Sequence, residues 1–242
     1  MKNYILVHGA WGNAAEFDQL AKNLSSDDRS VTAIDLPGHG EHISPIEDMT
    51  MDAYVQAVVD AISSIDGNVI LVGHSLAGAV ISQVAEAIPE RIEKLVYIAA
   101  MLPKNGDTPI GLMQSDITGE LLPRILFSED QSYATLKEED VREVMLHDVR
   151  DEELVEEAMR GFYMKQATQP FMTPIVLSDE KFGPIPKYYI RAQLDKVLSP
   201  SLQDSMLTNW EVEKTVTLET GHFPLISAPE ELANELLKLS LI

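Results

Sequence analysis

Ser75 sits where a chain can present a nucleophile. Val69-Ile70-Leu71-Val72 is an apolar, largely β-branched run, Gly73-His74-Ser75-Leu76-Ala77-Gly78 follows it, and a helical pattern begins at Ala79-Val80. A strand that turns sharply into a helix exposes the hydroxyl at the turn, and the positions two before and two after it must be small. Gly73 and Ala77 meet that need, although the usual pattern has glycine where this chain has Ala77. A serine hydroxyl is a weak nucleophile at neutral pH, so the turn implies a general base and a third group to orient that base. The plainer reading of Ser75 is the N-cap of an ordinary helix.

The elements around Ser75 alternate in type. Hydrophobic periodicity predicts strands over Tyr4 to Val7, Val31 to Ile34, Val69 to Val72 and Leu95 to Ala99. Between them, Phe17 to Leu24 and Met51 to Ile65 carry apolar residues at helical spacing, and a helix after Ser75 runs to about Ala87, before Ile88-Pro89. This alternation predicts an α/β fold with a mostly parallel sheet flanked by helices. From about residue 103 to 184 the pattern changes. Turn residues come first, then acidic amphipathic helices between Lys137 and Arg160, then an irregular stretch from Met164 to Pro174. The block reads as an inserted helical lid within one domain spanning residues 1–242. Strand character returns at Lys187 to Ile190 and Thr215 to Leu218, and Pro229 to Leu239 predicts a closing helix.

Composition narrows the function classes. The chain has 242 residues, 45% hydrophobic and 24% charged, ordinary proportions for a globular domain. Its net charge of −21, from 39 acidic and 18 basic residues, offers no basic footprint for nucleic acid and disfavours anionic lipid. Neutral substrates approach such a surface more easily than polyanions. No apolar run nears the roughly 20 residues of a membrane span. The opening Met1-Lys2-Asn3-Tyr4-Ile5-Leu6-Val7 lacks the longer apolar core of a secretory leader and reads as a first buried strand, so the expected location is cytoplasmic. There is no cysteine, which excludes disulfides, thiol nucleophiles and thiolate metal sites. His39, Glu41 and His42 share a loop, but its local chemistry is that of a turn, so no metal and no cofactor are expected.

Four segments together carry a resemblance. His8-Gly9-Ala10-Trp11, Asp35-Leu36-Pro37-Gly38-His39-Gly40, Gly73-His74-Ser75-Leu76-Ala77-Gly78 and Gly221-His222-Phe223 resemble the signature segments of an α/β-hydrolase. The likeness covers essentially the whole chain. The segment from Pro184 to Lys196 is similar to the plant methyl esterase and hydroxynitrile lyase branch and its bacterial esterase relatives.

The resemblance assigns roles. Ser75 is the nucleophile. His222, across a short loop from the strand at Thr215 to Leu218, is the base, and Asp195, after the strand at Lys187 to Ile190, is the acid. The chain order serine, acid, histidine is the order of this fold. Asp204 and Asp179 are the rival acids, the first on a helix after Pro200 and the second too early before its strand. The amide of Leu76, directly after the nucleophile, is one expected oxyanion donor, and by resemblance the amide of Ala10 is the other. His8 is expected to hydrogen-bond its own loop, and His74 to pack beside the turn. Trp11 either lines the pocket or covers the core.

A serine with a base and an oxyanion hole points to acyl transfer through an acyl-enzyme. In the hydroxynitrile lyases of the resembled branch, a lysine follows the histidine or a polar residue follows the first-strand histidine. Phe223 and Gly9 stand at those positions here, which favours ester hydrolysis. The expected activity is that of a serine carboxylesterase on small to medium neutral esters, methyl and aryl esters among them. The alternatives are hydroxynitrile lyase-like carbon–carbon cleavage and a ligand-binding protein that keeps the fold without turnover. Trp11, Phe127, Phe162, Met164, Phe171 and Phe223 are the candidate pocket walls. The expected partner is a small-molecule ester, with no nucleic acid and no membrane, and the exposed lid leaves room for a homodimer.

Overall fold

In the computed structural model, which describes residues 1–162 and 165–239, six parallel strands form the central sheet. They are β1 (Lys2–Val7), β2 (Arg29–Ile34), β3 (Val69–His74), β4 (Ile92–Ile98) and, after the insertion, Lys187–Ala192 and Lys214–Leu218. Three short strands of the insertion come between in chain order: β5 (Leu126–Phe127), β6 (Tyr133–Thr135) and β7 (Gln166–Ala167). The last two central strands are therefore β8 and β9, and the sheet order is β2-β1-β3-β4-β8-β9. β3 is buried at every position because its neighbours pair on both edges and helices cover both faces.

Alternate side chains feed two cores. Ile5, Val7, Val69 and Leu71 pack with helices α2 (Met51–Ser63) and α3 (Ala77–Ala87). Tyr4, Leu6, Ile70 and Val72 pack on the other face with α1 (Asp18–Leu24) and the final helix Pro229–Leu239. Edge strand β2 shows only half-buried and exposed positions, as one uncovered edge dictates.

The register decides where loops meet. Val7 pairs with Gly73, Ile98 with Ile190, and Ala192 with Leu218, so the carboxyl ends of β1, β3, β4, β8 and β9 form one rim. The chain leaves β1 for β2 on one side and returns to β3 on the other. That reversal opens a crevice at the rim between β1 and β3, the place where sheets of this kind bind ligands.

Residues 103–184 depart from a wholly helical insertion. Besides helices Pro109–Ser115 and Glu152–Gly161 the insertion holds a three-stranded antiparallel sheet in the order β5-β6-β7, with β7 following the second helix. Strands of two or three residues are too short to show period-two patterning. The acidic stretch from Lys137 also breaks: a π-helical turn at Val141–Met145 and a gap precede the helix at Glu152. Among the described residues no helix is long and apolar enough to cross a membrane.

Candidate active site

Ser75 occupies the turn between β3 and α3 with φ of 55°, the left-handed region that non-glycine residues seldom enter. Backbone bonds hold it there: its N–H donates to the Ile98 carbonyl at 3.3 Å, and its carbonyl accepts from Met101 N–H at 3.0 Å. The close approaches fall on two glycines. A Cβ at Gly73 would lie 2.9 Å from the Ala77 carbonyl oxygen, and one at Gly78 would collide with the backbone of Met101. Ala77 itself is fully buried in the core. The position that departs from the usual motif is thus one where a methyl fits, while Gly78 is where it does not.

His222 lies beyond β9 and reaches back across the rim. Ser75 Oγ–H donates to His222 Nε2 at 2.8 Å, and His222 Nδ1–H donates to Asp195 Oδ2 at 2.8 Å. Exposure is 9% for Ser75, 3% for Asp195 and nil for His222, so water competes little for these bonds. Asp195 Oδ1 also accepts from Val197 N–H at 2.7 Å and Leu198 N–H at 3.1 Å. A carboxylate surrounded by donors keeps Nδ1 as the protonated nitrogen of His222 and leaves Nε2 free to accept. The rival carboxylates lie elsewhere. Asp204 makes a two-pronged pair with Arg191 at 2.6 and 2.8 Å at the surface, and Asp179 sits in an exposed turn.

The loop after β1 runs against the serine. A Cβ on Gly9 would lie 2.7 Å from Ser75 Cβ and 3.3 Å from Ser75 Oγ, so only glycine allows the approach. Ala10 and Leu76 directly follow Gly9 and Ser75 in the chain. His8 is buried and holds this loop to the next: Nε2 accepts from Leu36 N–H at 3.0 Å and Nδ1–H donates to the Gly9 carbonyl at 2.8 Å. Burial, with His39 adding to it, pulls the His8 pKa down to about 3, which keeps it the neutral tautomer this bonding needs. His74 donates from Nε2 to the His222 carbonyl at 2.8 Å, and burial drives its pKa well below the ordinary value.

The candidate pocket walls separate into two groups. Trp11, Phe127 and Phe171 line one apolar cleft with Ile110, Ile125 and Met172, which holds only about 10 Å³ of space. Phe162 packs edge-on against Phe223 at 5.4 Å, and Phe223 backs onto His74 at 4.6 Å and His222 at 5.3 Å, so these two rings brace the imidazoles and are not among the residues lining that cleft. Met164, like Tyr163, lies outside the described residues. Trp11 is 2% exposed, and it lines that cleft with its ring 5.9 Å from the ring of Phe171.

Several contacts carried no local sequence signal. Gln203, fully buried, donates from Nε2 to Asp195 Oδ2 at 3.3 Å and to the Leu198 carbonyl at 2.7 Å. From the insertion, His147 donates to the carbonyl of Leu194 at 3.0 Å, and the next residue, Asp148, accepts from Gly221 N–H at 2.6 Å. Two neighbouring side chains thus hold the residues just before Asp195 and His222. Among the described residues no group of three or more His, Cys, Asp or Glu side chains is arranged to hold a metal ion.

The geometry can be set beside known proteins. A model described as the alpha/beta hydrolase family matches residues 4–235. The pyrethroid hydrolase of Sphingobium wenxiniae is 31% identical over 241 residues, covering 95% of this chain and 84% of that protein. Methylesterase 7 of Arabidopsis thaliana is 26% identical over 257 residues, covering 99% of this chain and 96% of that protein. The crystal structure of a pyrethroid hydrolase from Sphingobium faniae superposes with a TM-score of 0.87 at 30% identity, covering 99% of this chain and 97% of the other.

Proposed function

The chain belongs to the alpha/beta hydrolase family, and from that premise we propose that it is a serine carboxylesterase acting on small to medium neutral esters. The observation that carries the reading is the unbroken hydrogen-bonded line from Ser75 through His222 to Asp195. A pyrethroid hydrolase and a methylesterase among the relatives support hydrolysis of an ester bond.

The reaction runs in two halves. Ser75 Oγ attacks the ester carbonyl as its proton passes to His222 Nε2, and the negative oxygen is received by the amides of Ala10 and Leu76. The carbon–oxygen bond to the alcohol then breaks, and His222 returns its proton to the departing alkoxide. Water attacks the acyl-serine, His222 takes a proton from it, and the acid leaves as Ser75 is restored. Asp195 keeps the imidazole in its Nδ1–H tautomer and stabilises the imidazolium.

The apolar cleft at Trp11, Phe127 and Phe171 supports an ester with an apolar or aromatic part. Phe223 and Gly9 offer no charge or side-chain hydrogen bond to cyanide, which favours hydrolysis over carbon–carbon cleavage. The test is a panel of methyl, aryl and longer alkyl esters alongside mandelonitrile. Ester turnover that is lost in Ser75→Ala, with no cyanide release, supports the proposal. Cyanide release without ester turnover overturns it.

A further inference from the structure

We infer that Gln166, a residue of the insertion far from Ser75 in sequence, is a positioning residue for the oxyanion loop. The inference rests on the esterase reading above, because it concerns the donor that reading assigns to Ala10.

The loop carries local strain. Trp11, directly after Ala10, has φ of 59°. A bulky residue is strained in the left-handed region, and such a conformation persists only where its surroundings impose it. The imposing contacts come from the insertion. Trp11 N–H donates to Gln166 Oε1 at 3.1 Å, and its indole Nε1–H donates to the Ala134 carbonyl at 3.3 Å. Both partners belong to the small sheet, in β7 and β6.

Gln166 is suited to the task. It is fully buried, and its amide nitrogen donates to Tyr54 Oη and to the Ala167 carbonyl, each at 3.1 Å. A backbone N–H can only donate, so the end facing Trp11 has to be the amide oxygen. His39 Nε2 lies 3.0 Å from that same oxygen, and His39 packs on His8 with ring centroids 4.9 Å apart. One side chain therefore joins the insertion, the loop after β1 and the loop after β2. The peptide between Ala10 and Trp11 cannot rotate without breaking this bond. The Ala10 amide is one residue away, so its aim is set by the same constraint.

The prediction is specific to the step in which charge develops. Removing an oxyanion donor outright costs about 10²–10³ in kcat, so a donor left in place but poorly aimed should cost about ten- to a hundredfold. Gln166→Met keeps volume and removes the acceptor. Gln166→Asn keeps the amide but withdraws it by one methylene. The experiment measures kcat and KM on a p-nitrophenyl ester and inhibition by a trifluoromethyl ketone, whose Ser75 adduct places an oxyanion in the hole. The expected result is a lower kcat and weaker ketone inhibition in Met and Asn, with a KM within about threefold of wild type. Should Gln166→Met fail to fold, Gln166→Asn alone decides. Wild-type kcat and ketone inhibition in a folded Asn or Met variant overturn the inference. Wild-type protein that neither turns over the ester nor binds the ketone overturns the esterase reading instead.

Discussion

His74 donates a hydrogen bond from Nε2 to the carbonyl oxygen of His222 at 2.8 Å. The residue just before the serine in sequence thus fixes the backbone of the residue whose ring faces that serine. Turn and base loop cannot drift apart without breaking a bond that is wholly buried.

Replacing His74 separates this contact from general packing. His74→Phe fills the space but leaves the His222 carbonyl without its donor, which costs about 1–3 kcal/mol. It should also lower kcat about ten- to a hundredfold through misplacement of the imidazole. His74→Gln offers an amide donor to the same carbonyl and should recover much of both losses. Urea unfolding with steady-state kinetics on the three proteins checks this.

Asp195→Asn should lower kcat by about 10³–10⁴, because an amide facing Nδ1 favours the wrong imidazole tautomer. Its fold should survive, as the amide oxygen can still accept from Val197 and Leu198. Asp204→Asn loses only a surface pair with Arg191, worth less than about 1 kcal/mol, and should keep wild-type kcat. If Asp204→Asn is the crippling change, the acid is misassigned.

Glu16 predicts a pH effect on stability. Both carboxyl oxygens are buried, and burial raises the pKa to about 8 from an ordinary 4.5, outweighing the lowering by the Asn13 backbone. The folded protein therefore binds a proton that the unfolded chain releases. This stabilisation is full below pH 4.5 and is lost as pH rises towards and through about 8, a penalty of at most roughly 5 kcal/mol. Glu16→Gln removes the titration. Its melting temperature should match wild type near pH 4.5 and exceed it increasingly up to pH 8.5, whereas a constant offset would show that Glu16 does not titrate this way.

The two small residues of the turn should respond differently. Gly78→Ala drives a methyl into the backbone of Met101, which cannot give way, and should cost about 3 kcal/mol or prevent folding. Ala77→Gly should cost about 1–2 kcal/mol, the helix-propensity difference plus the loss of one buried methyl, and should still fold. Thermal melts of both variants decide.

What the sequence made legible was local. A β-branched run ending at Gly73, followed by a helical pattern, marks the turn; Asp179, Asp195 and Asp204 all fit the order serine, acid, histidine, and it is the resemblance and the place just after the strand at Lys187 to Ile190 that favour Asp195. Contacts between distant polar side chains were not legible. Gln166, Gln203, His147 and Asp148 carry no motif, since each acts through a partner dozens of residues away or through a register that only the folded chain sets. Phe223 and Phe162 read as candidate pocket walls from their apolar character, and the local sequence does not say that the two rings pack on each other with Phe223 against His74 and His222.

The central claim is that Ser75 is a nucleophile activated by His222. Labelling with a fluorophosphonate, followed by peptide mass spectrometry, tests it most directly. The adduct should fall on Ser75, be absent in Ser75→Ala, and form at least a hundredfold more slowly in His222→Ala. No adduct on Ser75 in the folded wild-type protein, or an equal labelling rate in His222→Ala, would contradict the account.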